Sequence, residues 1–265
     1  MGILNVTPDS FADGGVHFDV DRAVEAGVRM EADGADIIDV GGESTRPGAE
    51  PLPEDEELRR VIPVIERLAA RVAVPISVDT YKARVAREAV AAGAAIVNDV
   101  SGLLYEPALG AVAAQTGAAL ILMHTRGRSD DMYGRAVYGD VVDDVRGELR
   151  EAIARARSAG VSRDAIIIDP GIGFAKRAEH SFEVLAQLDA FADLDRPILS
   201  GPSRKSYLKA AIGDVAADAR EWATAAAVTA SVLGGAHIVR VHGVRAMRDV
   251  VRVADAIRDA RRGAL

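Results

Sequence analysis

The chain of 265 residues contains no cysteine, so disulfides and thiolate metal sites are both excluded. Aromatic residues make up 4%, with a single tryptophan, too few for the stacking platforms that bind bases. No apolar run approaches the roughly 18 residues needed to span a bilayer, and the first residues do not resemble a secretory signal. Basic charge is in deficit: the net charge of −8 argues against a general nucleic-acid surface. These absences lead to the expectation of a soluble cytoplasmic protein with neither membrane nor nucleic acid as a partner. The remaining composition, 49% hydrophobic and 27% charged, is ordinary for a globular chain with a substantial core.

The apolar material is distributed in eight short runs: 'GILNV', 'ADIIDV', 'VPISVD', 'AAIVND', 'AALILMH', 'AIIIDP', 'RPILSG' and 'AHIVRVH'. Each is continuous rather than alternating, as expected for strands buried on both faces of a parallel sheet. Between them lie stretches with helical spacing, among them 'VDRAVEAGVRMEADG', 'EDEELRRVIPVIERLAA', 'ARVAREAVAAG', 'VVDDVRGELREAIARARSAG' and 'EWATAAAVTASVLGG'. In the second of these, Val61, Val64, Ile65 and Leu68 form one apolar stripe, and Pro63 is expected to shorten or kink the helix. Eight alternations in this length match an α/β fold of the (β/α)8 barrel type, with a doubly wound open sheet as the rival. The first strand is not followed by GxGxxG, which weakens a dinucleotide-binding reading. No linker or low-complexity tract divides the chain, so residues 1–265 are expected to form one domain.

Nearly every apolar run closes on a polar residue: Asn5, Asp39, Asp79, Asn98 with Asp99, His124, Asp169, Arg240 and His242. In a parallel barrel those ends share one face, where active sites lie. Asp79, Asn98 and Asp169 form an acceptor-rich set suited to a heterocycle bearing several N–H groups, such as an aminopyrimidinone. Singly, each reads equally well as a helix cap or a structural polar group. Arg46, Arg204, Lys205, Arg240 and His242 form a cationic set, and the helix expected after 'GPSRKS' could receive an anion at Ser206. Arg126, Arg128 and Arg135 read as solvated loop charges. The first loop, 'NVTPDSFADGG', carries one aromatic residue, Phe11, and has the composition of a mobile lid. The Gly-rich stretch 'GGESTRPGAE' is too richly functionalised at Thr45 and Arg46 for a plain connector. Asn5 could offer an uncharged oxygen to a Mg2+ that also holds phosphate.

Taken in order, 'GILNVTPDSFADGG', 'DVGGESTRPGA', 'SVDT', 'NDVSG', 'LMH', 'DPGIGFAK', 'SRKS' and 'RVHGV' resemble the dihydropteroate synthases over essentially the whole chain. The resemblance implies a pterin-binding barrel with its active site at the C-terminal ends of the strands. It also implies a folate-pathway reaction that joins 4-aminobenzoate to 6-hydroxymethyl-7,8-dihydropterin pyrophosphate and releases pyrophosphate. By the family pattern, Asp79, Asn98, Met123, Asp169, Lys205 and Arg240 would bind the pterin. Asn5 with Mg2+, and Arg46, Arg240 and His242, would hold pyrophosphate. Phe11, Thr45, Pro47, Phe174, Lys205 and Ser206 would frame 4-aminobenzoate. Asp79, Lys205, Arg240 and His242 would be the catalytic set. A homodimer through helices late in the barrel and inhibition by sulfonamides are likewise implied. A methyltetrahydrofolate-binding methyltransferase-type domain and a non-catalytic pterin-binding homologue are the alternatives.

The sequence departs from the family pattern at four places. Gly243 stands where an acid is usual and is expected to loosen His242. Ala12 replaces a serine in the first loop, and Pro202 precedes the serine of 'GPSRK'. Ile172 replaces a common phenylalanine and is expected to make the aminobenzoate side less aromatic. The sequence opens on its first strand, so a hairpin closing the barrel bottom is expected to be absent from it.

Overall fold

The computed structural model describes residues 1–6, 20–44, 48–261 and 263. All eight apolar runs form strands: β1 (Gly2–Asn5), β2 (Ile38–Gly41), β3 (Ile76–Asp79), β4 (Ile96–Asp99), β5 (Ala119–Met123), β6 (Ile166–Asp169), β7 (Leu199–Ser200) and β8 (Ile238–Val239). Each is followed by a helix: α1 (Val20–Ala32), α2 (Glu54–Ala69), α3 (Ala83–Ala91), α4 (Ala108–Thr116), α5 (Val141–Ser158), α6 (Ala178–Ala186), α7 (Glu221–Leu233) and α8 (Val244–Arg261). The strands β1 to β6 pair in parallel in chain order, and β7 pairs with β8.

Two single bridges close this arrangement into a ring. Ile168 of β6 meets Ile198 beside β7, and Val241 beyond β8 meets Gly2 of β1. The second junction is held by Ile3 N–H donating to Val241 O and Val241 N–H donating to Met1 O, both at 3.0 Å. The fold is therefore a (β/α)8 barrel, and the open-sheet rival fails because no free edge remains between β8 and β1. Closure explains the continuous apolar runs, since each strand has helices on one face and the barrel interior on the other.

The largest apolar cluster lies between the strands β1 to β6 and their covering helices. The stripe read on α2 supplies Val61, Val64, Ile65 and Leu68, all fully buried. The helix runs from Glu54 to Ala69 straight through Pro63, so the proline does not shorten it. At α5, Asp140 caps the first turn by accepting from Val142 N–H and Asp143 N–H at 3.0 and 2.9 Å. Gly117 closes α4 in the left-handed conformation.

Leu68 packs where a Cβ on Gly27 would stand, with its Cδ2 2.6 Å from that position, so α1 and α2 approach closely at this glycine. Replacing Leu68 by alanine leaves a hole that the close-packed helices cannot collapse. The expected loss is about 3 kcal/mol of unfolding free energy, measured by urea titration with the slope unchanged.

Candidate active site

Strand register places the polar ends side by side. Asn5 stands level with Gly41, Gly41 with Asp79, and Asp79 with Asn98; on the far side Met123 stands level with Asp169. Gly41 leaves room for its neighbour, because a Cβ there would lie 3.3 Å from the Asp79 Cβ. One layer deeper, Asp39 pairs in register with Ser77.

Arg240 joins these layers. Its Nε donates to Asp39 Oδ2 at 2.6 Å and its Nη2 to Asp79 Oδ2 at 2.7 Å. Asn98 Nδ2 also donates to Asp39 Oδ2, at 3.1 Å. Asp39 is fully buried, and its Oδ1 has no hydrogen-bond partner; the Ser77 hydroxyl beside it is likewise unsatisfied. An orphaned carboxylate oxygen is costly. Asp39 was visible as a polar strand end, but nothing local in the sequence marked it as the anchor of Arg240.

Burial raises the Asp79 carboxyl to about 7, against the opposing pull of Arg240 and with the Asp39 charge adding to the rise. Asp169 is raised by burial too, with Lys205 and the Gly171 N–H opposing. Burial lowers the Lys205 ammonium to about 8. Although burial works against its charge, Arg240 is held firmly protonated by Asp39 and Asp79. Three carboxylates (Asp39, Asp79, Asp169) thus meet two cations (Lys205, Arg240), a local acid excess that favours a ligand rich in N–H donors.

Lys205 Nζ donates to Ile172 O at 2.5 Å and lies 4.4 Å from the centre of the Phe174 ring. It therefore touches the loop after β6 while facing Asp169. Met123 is buried at the end of β5. His242 Nδ1 lies 2.9 Å from Ser203 Oγ, which also receives the His242 N–H at 3.2 Å. Ser206 is exposed and begins a 3-10 turn, Ser206–Leu208, followed by a helix of a single turn, Lys209–Ile212. The helix expected to open there is this short one. Phe11, Ala12, Thr45, Arg46 and Pro47 lie outside the described residues.

Several expectations need correction. Arg204 does not belong to the cationic set in any simple sense, because its Nε pairs with Glu221 Oε2 at 3.0 Å. Arg126 is no solvated loop charge: it pairs with Glu148 and Asp144 and stacks 4.1 Å from the Tyr138 ring centre. Arg128 and Arg135 are exposed as expected, the first over Tyr105 and the second paired with Asp131. Asp99 is structural, accepting from Ser101 N–H, Ser101 Oγ–H and Leu103 N–H. His124 is enclosed between Lys176 and Glu148. The Ile172 side chain is buried in the core, so its replacement of phenylalanine does not alter the aromatic character of the mouth. At Gly243 a Cβ would lie 2.0 Å from Glu221 Oε1, so a carboxylate from α7 already fills the space beside His242.

A second buried lysine governs the stretch after β2. Lys82 Nζ pairs with Glu43 and Glu57 and donates to Leu52 O at 2.7 Å. It binds residues on both sides of the segment 44–51, one ammonium joining the two feet of that loop. Tyr81 Oη adds a bond to Glu43 at 3.1 Å.

A model of the pterin binding enzymes matches residues 1–242. The chain therefore belongs to the pterin-binding enzyme family. Within it, the curated relatives include dihydropteroate synthases: that of Synechocystis sp. is 47% identical, the match covering 97% of this chain and 89% of the relative. That of Escherichia coli is 44% identical over 98% of this chain and 92% of its own. Among solved structures, Xanthomonas albilineans dihydropteroate synthase with 4-aminobenzoic acid superposes with a TM-score of 0.91 at 44% identity, covering 97% and 91% of the two chains. The Yersinia pestis enzyme in a sulfonamide drug complex gives 0.92 at 41%, covering 97% and 93%.

Replacing Lys82 by methionine leaves Glu43 and Glu57 without their counter-charge, and Glu57 is 1% exposed. The expected cost is about 3 kcal/mol or more, seen as a lower denaturation midpoint. The double variant Lys82→Met with Glu57→Leu should regain part of that loss.

Proposed function

We propose that the chain is a dihydropteroate synthase, a transferase joining 4-aminobenzoate to 6-hydroxymethyl-7,8-dihydropterin pyrophosphate with release of pyrophosphate. The observation that carries this reading is the juxtaposition of Asp79, Asn98 and Asp169 with Lys205 and Arg240 at one end of the barrel. The carboxylates and amide accept from the amino and ring N–H groups of the pterin, and Met123 packs beneath it. Lys205 donates to the pterin, and the Arg240 guanidinium stacks on its face. The chain acts as one domain, residues 1–265, in the cytoplasm and as a homodimer. Exposed large apolar residues on the late helices, Trp222 on α7 and Val253 and Ile257 on α8, support that assembly.

The reaction breaks the C–O bond between the pterin methylene and pyrophosphate. The bonding pair leaves with the phosphate oxygen, and positive charge develops on the methylene and spreads into the ring. Asp79 and Asp169 are the carboxylates nearest that charge. Arg240 is a cation held in place for the charge that grows on the leaving group during cleavage, and His242 and, by the family pattern, Arg46 are assigned to the same group. The neutral amine of 4-aminobenzoate then forms the new C–N bond and loses a proton to solvent, so a strong general base is not required. Phe174 borders the arylamine, together with Phe11, Thr45 and Pro47, and its carboxylate lies towards Ser206.

The family implies Mg2+. Among the described residues there is no group of three His, Asp or Glu arranged to hold a metal. A phosphate-bound Mg2+ uses few protein ligands, and the Asn5 carboxamide, level with Gly41 at the mouth, is the oxygen that fits. When bound, the ion would neutralise pyrophosphate charge.

A coupled pyrophosphate-release assay with both substrates tests the assignment, and added sulfonamide should compete with 4-aminobenzoate. Release without 4-aminobenzoate dependence, or pterin binding without release, would count against it. Arg240→Ala is expected to lower turnover by more than about tenfold; near-normal turnover contradicts the assigned role. Because the Lys205 ammonium is present below about pH 8 and lost above it, kcat/KM for the pterin substrate should decline as pH rises through 8. In Lys205→Arg that decline should move out of the accessible range.

A further inference from the structure

Lys176, on the loop that leaves β6, is 1% exposed and is among the largest fully buried side chains of the molecule. A lysine ammonium has three donors and no acceptor. Here all three find partners: His124 Nδ1 at 2.8 Å, Gly171 O at 3.1 Å and Phe174 O at 3.1 Å. Burial lowers the Lys176 ammonium to about 7; when it is charged, the His124 nitrogen that faces it accepts, and the ring Nε2–H is donated to Glu148 Oε2 at 2.9 Å. Burial and the Lys176 charge depress His124 to about 4, consistent with a neutral ring. Hydrogen bonds from His124 and Arg126 hold Glu148 ionised in spite of its burial. A continuous polar row thus runs from the loop after β6 outward to α5.

The loop that Lys176 holds is conformationally demanding. Gly171, Gly173 and Ala175 all have positive φ, of 69, 82 and 48°. A Cβ on Gly171 would fall 2.0 Å from His124 O, so strand β5 presses directly on this turn. The carbonyls of the turn are shared out among three side chains, one from the loop itself and two from elsewhere: Lys176 takes Gly171 and Phe174, Lys205 takes Ile172, and Tyr138 Oη takes Ala175 at 2.8 Å. Gly173 lets the Lys205 stem pass, since a Cβ there would stand 3.0 Å from Lys205 Cδ. The Phe174 ring and the Ile172 carbonyl reach Lys205 only with the turn in this shape.

We propose that Lys176 is a positioning residue for the arylamine substrate: its ammonium fixes the Gly171–Phe174 backbone and so sets the Phe174 ring against Lys205. This deepens the synthase reading and rests on Phe174 bordering 4-aminobenzoate. Lys176 itself touches neither substrate. Its action falls mainly on one substrate: the turn presents Phe174 to the arylamine, whereas on the pterin side it reaches only Asp169, through the Gly171 N–H, and Lys205, through the Ile172 carbonyl, and Asp79 and Asn98, on β3 and β4, lie outside it.

The test compares the wild type with Lys176→Met, which keeps the length and removes every donor, and with Lys176→Gln, which keeps part of the donor capacity and guards against a methionine variant that does not fold. The KM for 4-aminobenzoate should rise about tenfold or more in Lys176→Met, and the KM for the pterin substrate by a clearly smaller factor. Lys176→Gln should fall between. Amide exchange of the peptide covering 171–175, followed by mass spectrometry, should quicken in both variants while the β3 and β4 peptides stay protected. Equal rises in both KM values, or a fall in kcat alone, would overturn the proposal. Unchanged exchange at 171–175 would overturn it whatever the kinetics. A wild type that releases no pyrophosphate would sink the synthase reading instead, and the exchange result would still decide whether Lys176 holds the turn.

Discussion

The contact on which the site depends is the fork of Arg240 between Asp39 and Asp79. It runs from the end of β8 to β2 and β3, across the mouth of the barrel, and joins the end of the chain to its beginning. One guanidinium partly neutralises two carboxylates there, of which Asp39 is fully buried and Asp79 partly exposed. The same arrangement keeps Arg240 charged while Asp79 is pushed upward by burial. Asp39 bears the structural cost in one buried oxygen without a hydrogen-bond partner, and the hydroxyl of Ser77, its neighbour in register, is likewise unsatisfied. A guanidinium held by two carboxylates in this way is fixed in place at the mouth of the barrel.

Around that fork, two fully engaged lysines shape the rim. Lys82 joins the feet of the loop after β2, and Lys176 sets the turn after β6. Both use three donors on three acceptors, and both belong to the scaffold and not to the substrate contacts. Lys205 is the opposite case. Among the described residues it is bound to a single carbonyl and sits on an aromatic ring, so its remaining donors are directed at the mouth. Distinguishing scaffold lysines from a functional one therefore needs the hydrogen-bond inventory of each ammonium.

The barrel was legible in the order of the residues because burial on two faces demands continuous β-branched runs, and all eight such runs became strands. The acceptor set was legible for a related reason: a strand that ends on Asp or Asn delivers that group to the C-terminal face. Asp99 and His124 had the same local appearance and proved to serve the scaffold, through a turn and a buried row; Arg204, read with the cations beyond β7, pairs with Glu221. Whether a polar strand end faces the mouth or the helices depends on the parity of the strand and on what packs behind it. Neither is written within a few residues of the position concerned.

The sequence by itself determined the eight strand–helix alternations, the polar ends of the strands and, through its motifs, the resemblance to one family. These are matters of local composition and spacing, which survive without knowledge of contacts. Only the tertiary structure decided that Asp39 anchors Arg240, 201 positions away in the chain, and that Glu221 fills the space beside Gly243. It also decided that Ile172 faces the core and that Lys176 braces the turn behind Phe174. Each of these joins residues brought together by closure of the barrel, and the energy of a buried charge depends on such neighbours more than on its own place in the sequence.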